Sequence, residues 1–203
     1  MNILILDTET ACGFDNPLVY DLGYIIADLK GNILLKRNYL IKNVFDNERL
    51  FETAYYKEKR PFYELLLSIE KIKKVYLGFA IYQLLKDIEK YNVADLYAYN
   101  SRFDFKSLNC TLKQFKNTSF DIDILDIMDY ISIITNTIEY KEFCEQNGFL
   151  TKHRPPQNQK KAETLYRFLT DNADFTEDHT ALSDSIIEYE ILLASLKRKG
   201  YIE

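Results

Sequence analysis

Three apolar segments crowd the first 41 residues: NILILD (2–7), LVYDLGYIIADL (18–29) and GNILLKRNYLI (31–41). Short runs rich in Ile, Leu, Val and Tyr between turn residues read as strands, and Lys30-Gly31-Asn32 is the turn joining the last two. From Pro61 the period changes. Leu65, Ile69 and Ile72 make one helical stripe, and Ile81, Leu84, Leu85 and Ile88 make another at i, i+3, i+4, i+7, with Gly78 between the two helices. DLYAYN (95–100) reads as a short strand and FDFKSLNCTLKQF as the helix after it. An extended piece at Phe120 to Ile124 leads toward a helix through Ile134. Residues 151–161 (TKHRPPQNQKK) form a loop with two prolines and no acid, and the last helix follows DHTALSDS to about Arg198. Strands first, then alternating helix and strand, predict one mixed α/β layered domain over residues 1–203.

Composition bounds this reading without deciding it. The 203 residues are 47% hydrophobic and 28% charged, enough to bury a core. The net charge of -5 argues against a protein that coats duplex DNA by basicity. It leaves room for an enzyme whose metal-binding carboxylates make its site acidic. Cys12, Cys110 and Cys144 are odd in number and far apart, which predicts free thiols in a reducing compartment and no structural zinc site. The first apolar run is too short for a signal peptide and no window suits a membrane span, so a soluble, cytoplasmic protein with no membrane partner is expected.

The chemistry is first legible at the end of the first strand. In ILDTET, Asp7 and Glu9 stand at i and i+2 and project to the same side of an extended chain. Two like charges at the end of a buried strand repel each other and resist desolvation, and a divalent cation with oxygen ligands compensates most simply. The plainer alternative is a strand that ends at Asp7, with Glu9 solvated in the turn. YNSRFDF (99–105) repeats the layout, with Asp104 in the first turn of a helix, where an acid also serves as an ordinary N-terminal residue. Asn100 is by itself a turn former.

The last helix adds two groups. Leu182, Ile186, Tyr189, Leu193 and Leu196 form one stripe and Asp184, Ile187 and Ile191 another, so the helix is apolar on two sides and predicted to lie between layers. Asp184 on such a helix wants a cation; a half-exposed position near the helix start is the alternative. His179, one of two histidines, precedes Asp184 by five residues, about 140° on a regular helix. The pair converges only if His179 lies in the approach, with Asp178 or Thr180 as N-cap.

Taken together, Asp7-Thr8-Glu9-Thr10, Asn100-Ser-Arg-Phe103-Asp104 and His179-Thr-Ala-Leu-Ser-Asp184 resemble, in order and context, the three signatures of the DEDDh 3′→5′ exonucleases. That family includes proofreading subunits, ribonuclease T and oligoribonuclease, and the resemblance spans residues 3 to about 195. It implies a ribonuclease-H-like fold, a mixed five-stranded sheet flanked by helices. It also implies that Asp7, Glu9, Asp104 and Asp184 hold two Mg²⁺ or Mn²⁺ ions, and that His179 acts as general base, swinging in from a mobile approach loop. Thr10, Phe14, Asn100 and Phe103 are the expected substrate contacts, Phe14 as the stacking platform. The continuation T-A-C-G-F is one residue longer than the commoner pattern. Lys152, Arg154, Lys160 and Lys161 of the acid-free loop are candidates for backbone phosphates, or merely solvated.

The expected activity is metal-dependent hydrolysis from the 3′ end of single-stranded nucleic acid, DNA favoured. RNA trimming is the alternative within the fold, and a non-catalytic interaction module the alternative outside the enzyme class. A haloacid-dehalogenase-type phosphatase also opens on acid-x-acid-x-Thr, but needs Asp where Glu9 stands. The resemblance leaves a homodimer or a polymerase or replication partner open; the short tail after Arg198 favours a free-standing enzyme.

Overall fold

The structure is a computed structural model that describes residues 1–202. Six strands form one sheet: β1 (Asn2–Ala11), β2 (Leu18–Asp28), β3 (Ile33–Ile41), β4 (Lys73–Val75), β5 (Val93–Ala98) and β6 (Ile124–Asp126). Nine α-helices lie among the described residues: α1 (Lys42–Phe45), α2 (Glu48–Phe51), α3 (Arg60–Ser68), α4 (Leu77–Lys90), α5 (Ser101–Lys116), α6 (Ser132–Thr135), α7 (Ile138–Asn147), α8 (Ala162–Leu169) and α9 (Ala181–Arg198). The strand order is β4-β3-β2-β1-β5-β6; β1 to β3 are antiparallel, whereas β4, β5 and β6 each run parallel to their neighbour.

The expected five strands are six. The stripe Leu65, Ile69, Ile72 suggested a helix through Ile72, but α3 stops at Ser68 and Ile72 leads into β4, a three-residue edge strand on β3. Its sequence KKV alternates too briefly to show a period, and only pairing with Tyr39 to Ile41 defines it. Gly78 is likewise not a break: it lies in the first turn of α4.

Composition explains why β1 is central. Ile3, Leu4, Ile5 and Leu6 are all fully buried, two on each face. At about 1.5–3 kcal/mol per side chain they contribute roughly 6–12 kcal/mol, enough to hold a strand that ends in carboxylates. On one face, Ile3, Ile5, Ile25 and Ala27 pack against Ile187, Ile191 and Leu192 of α9. On the other, Leu4, Leu6, Tyr24 and Ile26 pack against Leu84 of α4 and Leu108 of α5. No helix among the described residues is long and apolar enough to cross a membrane.

What places the site is the seat of α9 on β2. Gly23 pairs with Asp7 across the β1–β2 ladder, and Asp21 with Glu9, so all four residues share the α9 face. A Cβ on Gly23 would lie 2.1 Å from the backbone carbon of Ala181, so only glycine lets the helix start approach this closely. Ser185 Oγ donates to the Gly23 carbonyl. Thr180, at the N-cap, makes no side-chain cap; the fully buried Asp21 supplies one from the sheet, its Oδ2 accepting the Ala181 N–H at 3.1 Å. Asn38 and Tyr63 donate to the same carboxylate.

Gly23→Ala is expected to cost about 3 kcal/mol or more, because the clash is with backbone. Urea unfolding checks this; a wild-type midpoint would show that α9 does not need the contact.

Candidate active site

Asp7 and Glu9 project from the end of β1 toward α9, as the i, i+2 spacing predicts. The bulge between Glu9 and Thr10 ends the regular ladder there. Asp104 comes from the other layer: it is buried in the first turn of α5 and accepts the Thr8 hydroxyl at 2.8 Å. Asp184 occupies the first turn of α9, with its Oδ1 buried and without a hydrogen-bond partner. His179 stands outside α9, in left-handed backbone with φ 48°. That conformation, uncommon for a residue with a Cβ, removes the 140° splay of a regular helix. One ligand atom each from Glu9, His179 and Asp184 lies within 4.8 Å of the others. Asp7 and Asp104 lie outside this tightest group but within electrostatic reach of it: Asp184 and Glu9 raise the Asp7 carboxyl, and Asp104 raises that of Glu9.

Sequence reasoning missed a fifth carboxylate. Glu188, one turn beyond Asp184, is 3% exposed and accepts the Tyr99 N–H at 3.2 Å. Its burial among Asp104 and Asp184 pushes its carboxyl well above the ordinary value. The available signal was the helix stripe Ala181, Ser185, Glu188, Leu192 and Ser195 at i, i+4, i+7, i+11, i+14, whose small residues mark the face against the sheet.

Desolvation, reinforced by mutual repulsion, raises the whole set: Asp104 to about 7, Asp184 to about 8, Glu9 to about 9 and Asp7 well above its usual range. Among the described residues no lysine or arginine forms an ion pair with any of the five. Carboxylates that are buried or half-buried and have no ion-pair partner, one of them carrying an unpartnered oxygen and Lys59 only lowering Glu9 and Asp184 from nearby, are a donor set suited to hard divalent ions with oxygen ligands. His179 is shifted the other way, downward, by burial and then by Lys59, so its ring is neutral near pH 7.

Beside the carboxylates lies a cavity of about 310 Å³ lined by Thr8, Glu9, Thr10, Gly13, Phe14, Thr53, Tyr55 and Phe103. Phe14, 80% exposed, meets Phe103 edge-on at 5.8 Å. Thr10, Phe14 and Phe103 are therefore brought together as expected, and Tyr55 and Thr53 join them from the segment between β3 and α3. The additional residue in T-A-C-G-F is accommodated by left-handed Cys12 and Gly13, with the Cys12 N–H donated to Thr53. Asn100 is not brought to this cavity. It caps α5 in left-handed backbone, donates its N–H to Asp126, and borders a separate groove with Ser101 and Arg102. Lys152, Arg154, Lys160 and Lys161 are exposed.

The approach loop is also held more firmly than a free swinging arm. Asp178 Oδ1 accepts both the N–H and hydroxyl of Thr180. The His179 ring stacks on Tyr56 at 4.5 Å and 14°, and Lys59 Nζ donates to the Asp178 carbonyl. His179 Nδ1 lies 3.4 Å from Glu177 Oε2, in a pair formed when the ring nitrogen is protonated.

The carboxyls set a pH dependence with a definite sign. Their folded pKa values exceed the unfolded ones near 4, so they add stability at low pH that is lost as pH rises through about 7 to 9. In EDTA the thermal midpoint is expected to fall between about pH 5 and pH 9, and Mn²⁺ to restore more of it at about pH 8 than at about pH 5. A midpoint insensitive to Mn²⁺ at both pH values would remove the basis for a metal site.

By sequence the chain matches no protein-family model and no curated protein. Its fold does have counterparts. The nuclease domain of 3′hExo, a DEDDh family member bound to rAMP, superposes with a TM-score of 0.59 at 11% identity, over 97% of this chain and 92% of that one. A 3′-exonuclease in a structure of 3′-end-specific recognition of a histone mRNA stem-loop gives 0.60 at 10% identity, over 97% and 81%. Cell-death related nuclease 4 (CRN-4) gives 0.52 at 12% identity, over 97% and 64%. The chain thus has the ribonuclease-H-like α/β fold of the DEDDh exonucleases.

Proposed function

We propose that the protein belongs to the DEDDh exonucleases and removes nucleotides from the 3′ end of single-stranded nucleic acid. One observation carries this reading. Carboxylates and a histidine from three distant segments converge beside an aromatic cavity, and among the described residues no lysine or arginine is ion-paired with those carboxylates. A module kept only for binding would gain nothing from five mutually repelling acids, two of them buried and three half-buried.

Asp7, Glu9, Asp104 and Asp184 would hold the divalent ions, Mg²⁺ or Mn²⁺. When bound, such ions supply counter-charge for the phosphodiester and acidity for the attacking water. The cavity would take the terminal base between Phe14 and Phe103, an apolar slot that excludes water and tolerates any base. With Nδ1–H turned toward Glu177, Nε2 of His179 is left to accept the proton of the water. The water oxygen bonds to phosphorus, the bond to the 3′ oxygen breaks, and a nucleoside 5′-monophosphate departs.

Nothing in the cavity favours DNA, the substrate expected from the sequence. The neighbours bound to rAMP or recognising an mRNA stem-loop put RNA first among the substrates to offer. A partner protein, a second copy and a cytoplasmic location remain proposals of the sequence alone.

The test offers labelled single-stranded RNA, single-stranded DNA and duplex DNA with Mg²⁺ or Mn²⁺. Stepwise release of 5′-monophosphates is expected, abolished by EDTA. Asp7→Ala should lower turnover more than about 100-fold, and His179→Ala about 10²- to 10⁴-fold. No metal-dependent trimming of any of the three would overturn the reading.

A further inference from the structure

The segment between β3 and α3 reaches the site twice with consecutive residues. Tyr55, 83% exposed, walls the aromatic cavity, and Tyr56 stacks on the His179 ring. The two tyrosines meet edge-on at 4.8 Å, so cavity, Tyr55, Tyr56 and His179 form a continuous row of contacts. Tyr56 also carries Lys59 Nζ, 4.5 Å from the ring centre, and the same ammonium donates to the Asp178 carbonyl. The segment is anchored from below rather than loose. Phe51 is buried at 5.1 Å from Tyr20, and the Arg60 guanidinium covers Phe51 at 4.4 Å. The cavity wall that is exposed is therefore Tyr55, and the ring that follows it is the one stacked on the histidine.

We infer that Tyr56 is a positioning residue for His179, and that the Tyr55–Tyr56 pair couples filling of the base cavity to placement of the His179 ring against Glu9 and Asp184. The inference rests on the exonuclease reading for its purpose, but its contacts can be tested without turnover. A strained, left-handed histidine has no helix to orient it. Stacking against a flat ring fixes its plane without engaging its nitrogens, of which Nδ1 faces Glu177. Coupling that plane to the cavity gives a correctly seated 3′ nucleotide its base only on arrival, which suppresses attack on a substrate that has not reached the end of the cleft.

With two histidines in the chain, the His179 ring protons are assignable by comparison with His153→Gln. In wild type these protons should be shifted upfield by the Tyr56 ring, and adenosine, which fills the cavity without a phosphate, should move them. Tyr56→Leu should return them toward an unstacked position and abolish the response to adenosine, while cavity resonances still report binding. Its turnover should fall about tenfold with KM within about twofold, the pattern of a misplaced group rather than lost binding. Tyr56→Phe should restore both shift and turnover. Unchanged His179 resonances and turnover in Tyr56→Leu would overturn the positioning role. A His179 signal deaf to adenosine in a wild type whose cavity binds it would overturn the coupling. A wild type that trims no nucleic acid would instead remove the exonuclease reading, with the resonances still deciding whether Tyr56 holds His179.

Discussion

The site depends on how closely α9 can approach β2. Two positions set that distance: Gly23, where a methyl group would occupy the backbone of Ala181, and Asp21, whose buried carboxylate accepts the first N–H of the helix. Helix starts leave N–H groups unpaired, and their positive end favours an acid nearby. An acid supplied from a strand instead of the local chain ties the helix start to the strand paired with β1. Because Gly23 faces Asp7 and Asp21 faces Glu9, that tie brings Asp184 and His179 over the carboxylates of β1.

The arrangement conflicts with the stability of the metal-free protein. Asp21 is itself raised to about 6 by burial, and Asp7, Glu9, Asp104, Asp184 and Glu188 are raised further. Natural chains retain such repulsion where function uses it, and the buried runs of β1 and β2 are what tolerate it here. His179 answers the opposite need. Its surroundings lower its proton affinity, and the Tyr56 stack and Glu177 restrict its ring. The carboxyls are thus shifted up and the histidine down, by the same burial.

Much of this was legible because it is periodic or local. The strands β1 to β3, helix α5 and the run of α9 to Arg198 follow from apolar spacing, and Asp7, Glu9, Asp104, Asp184 and His179 stand at strand ends and helix starts whose patterns are recognisable. β4 was not legible, because three residues hold too little pattern and its identity as a strand comes from pairing with β3. Asn100 looked like a substrate contact by position in its motif, whereas its backbone geometry turns it to Asp126. Tyr55 and Tyr56 lie in a segment of short helices and turns with no period, so nothing along the chain marked them.

The sequence by itself therefore determined the layered α/β class, the order of the acidic motifs and the chemistry their residue types permit, since hydrophobic period and side-chain identity are properties of the chain. Only the tertiary structure decided which groups meet: Glu188 joining four expected acids, Asp21 capping a helix 160 residues away, and Tyr56 lying flat on His179. Those contacts arise between segments far apart along the chain, where no local pattern records the distance at which two layers finally pack.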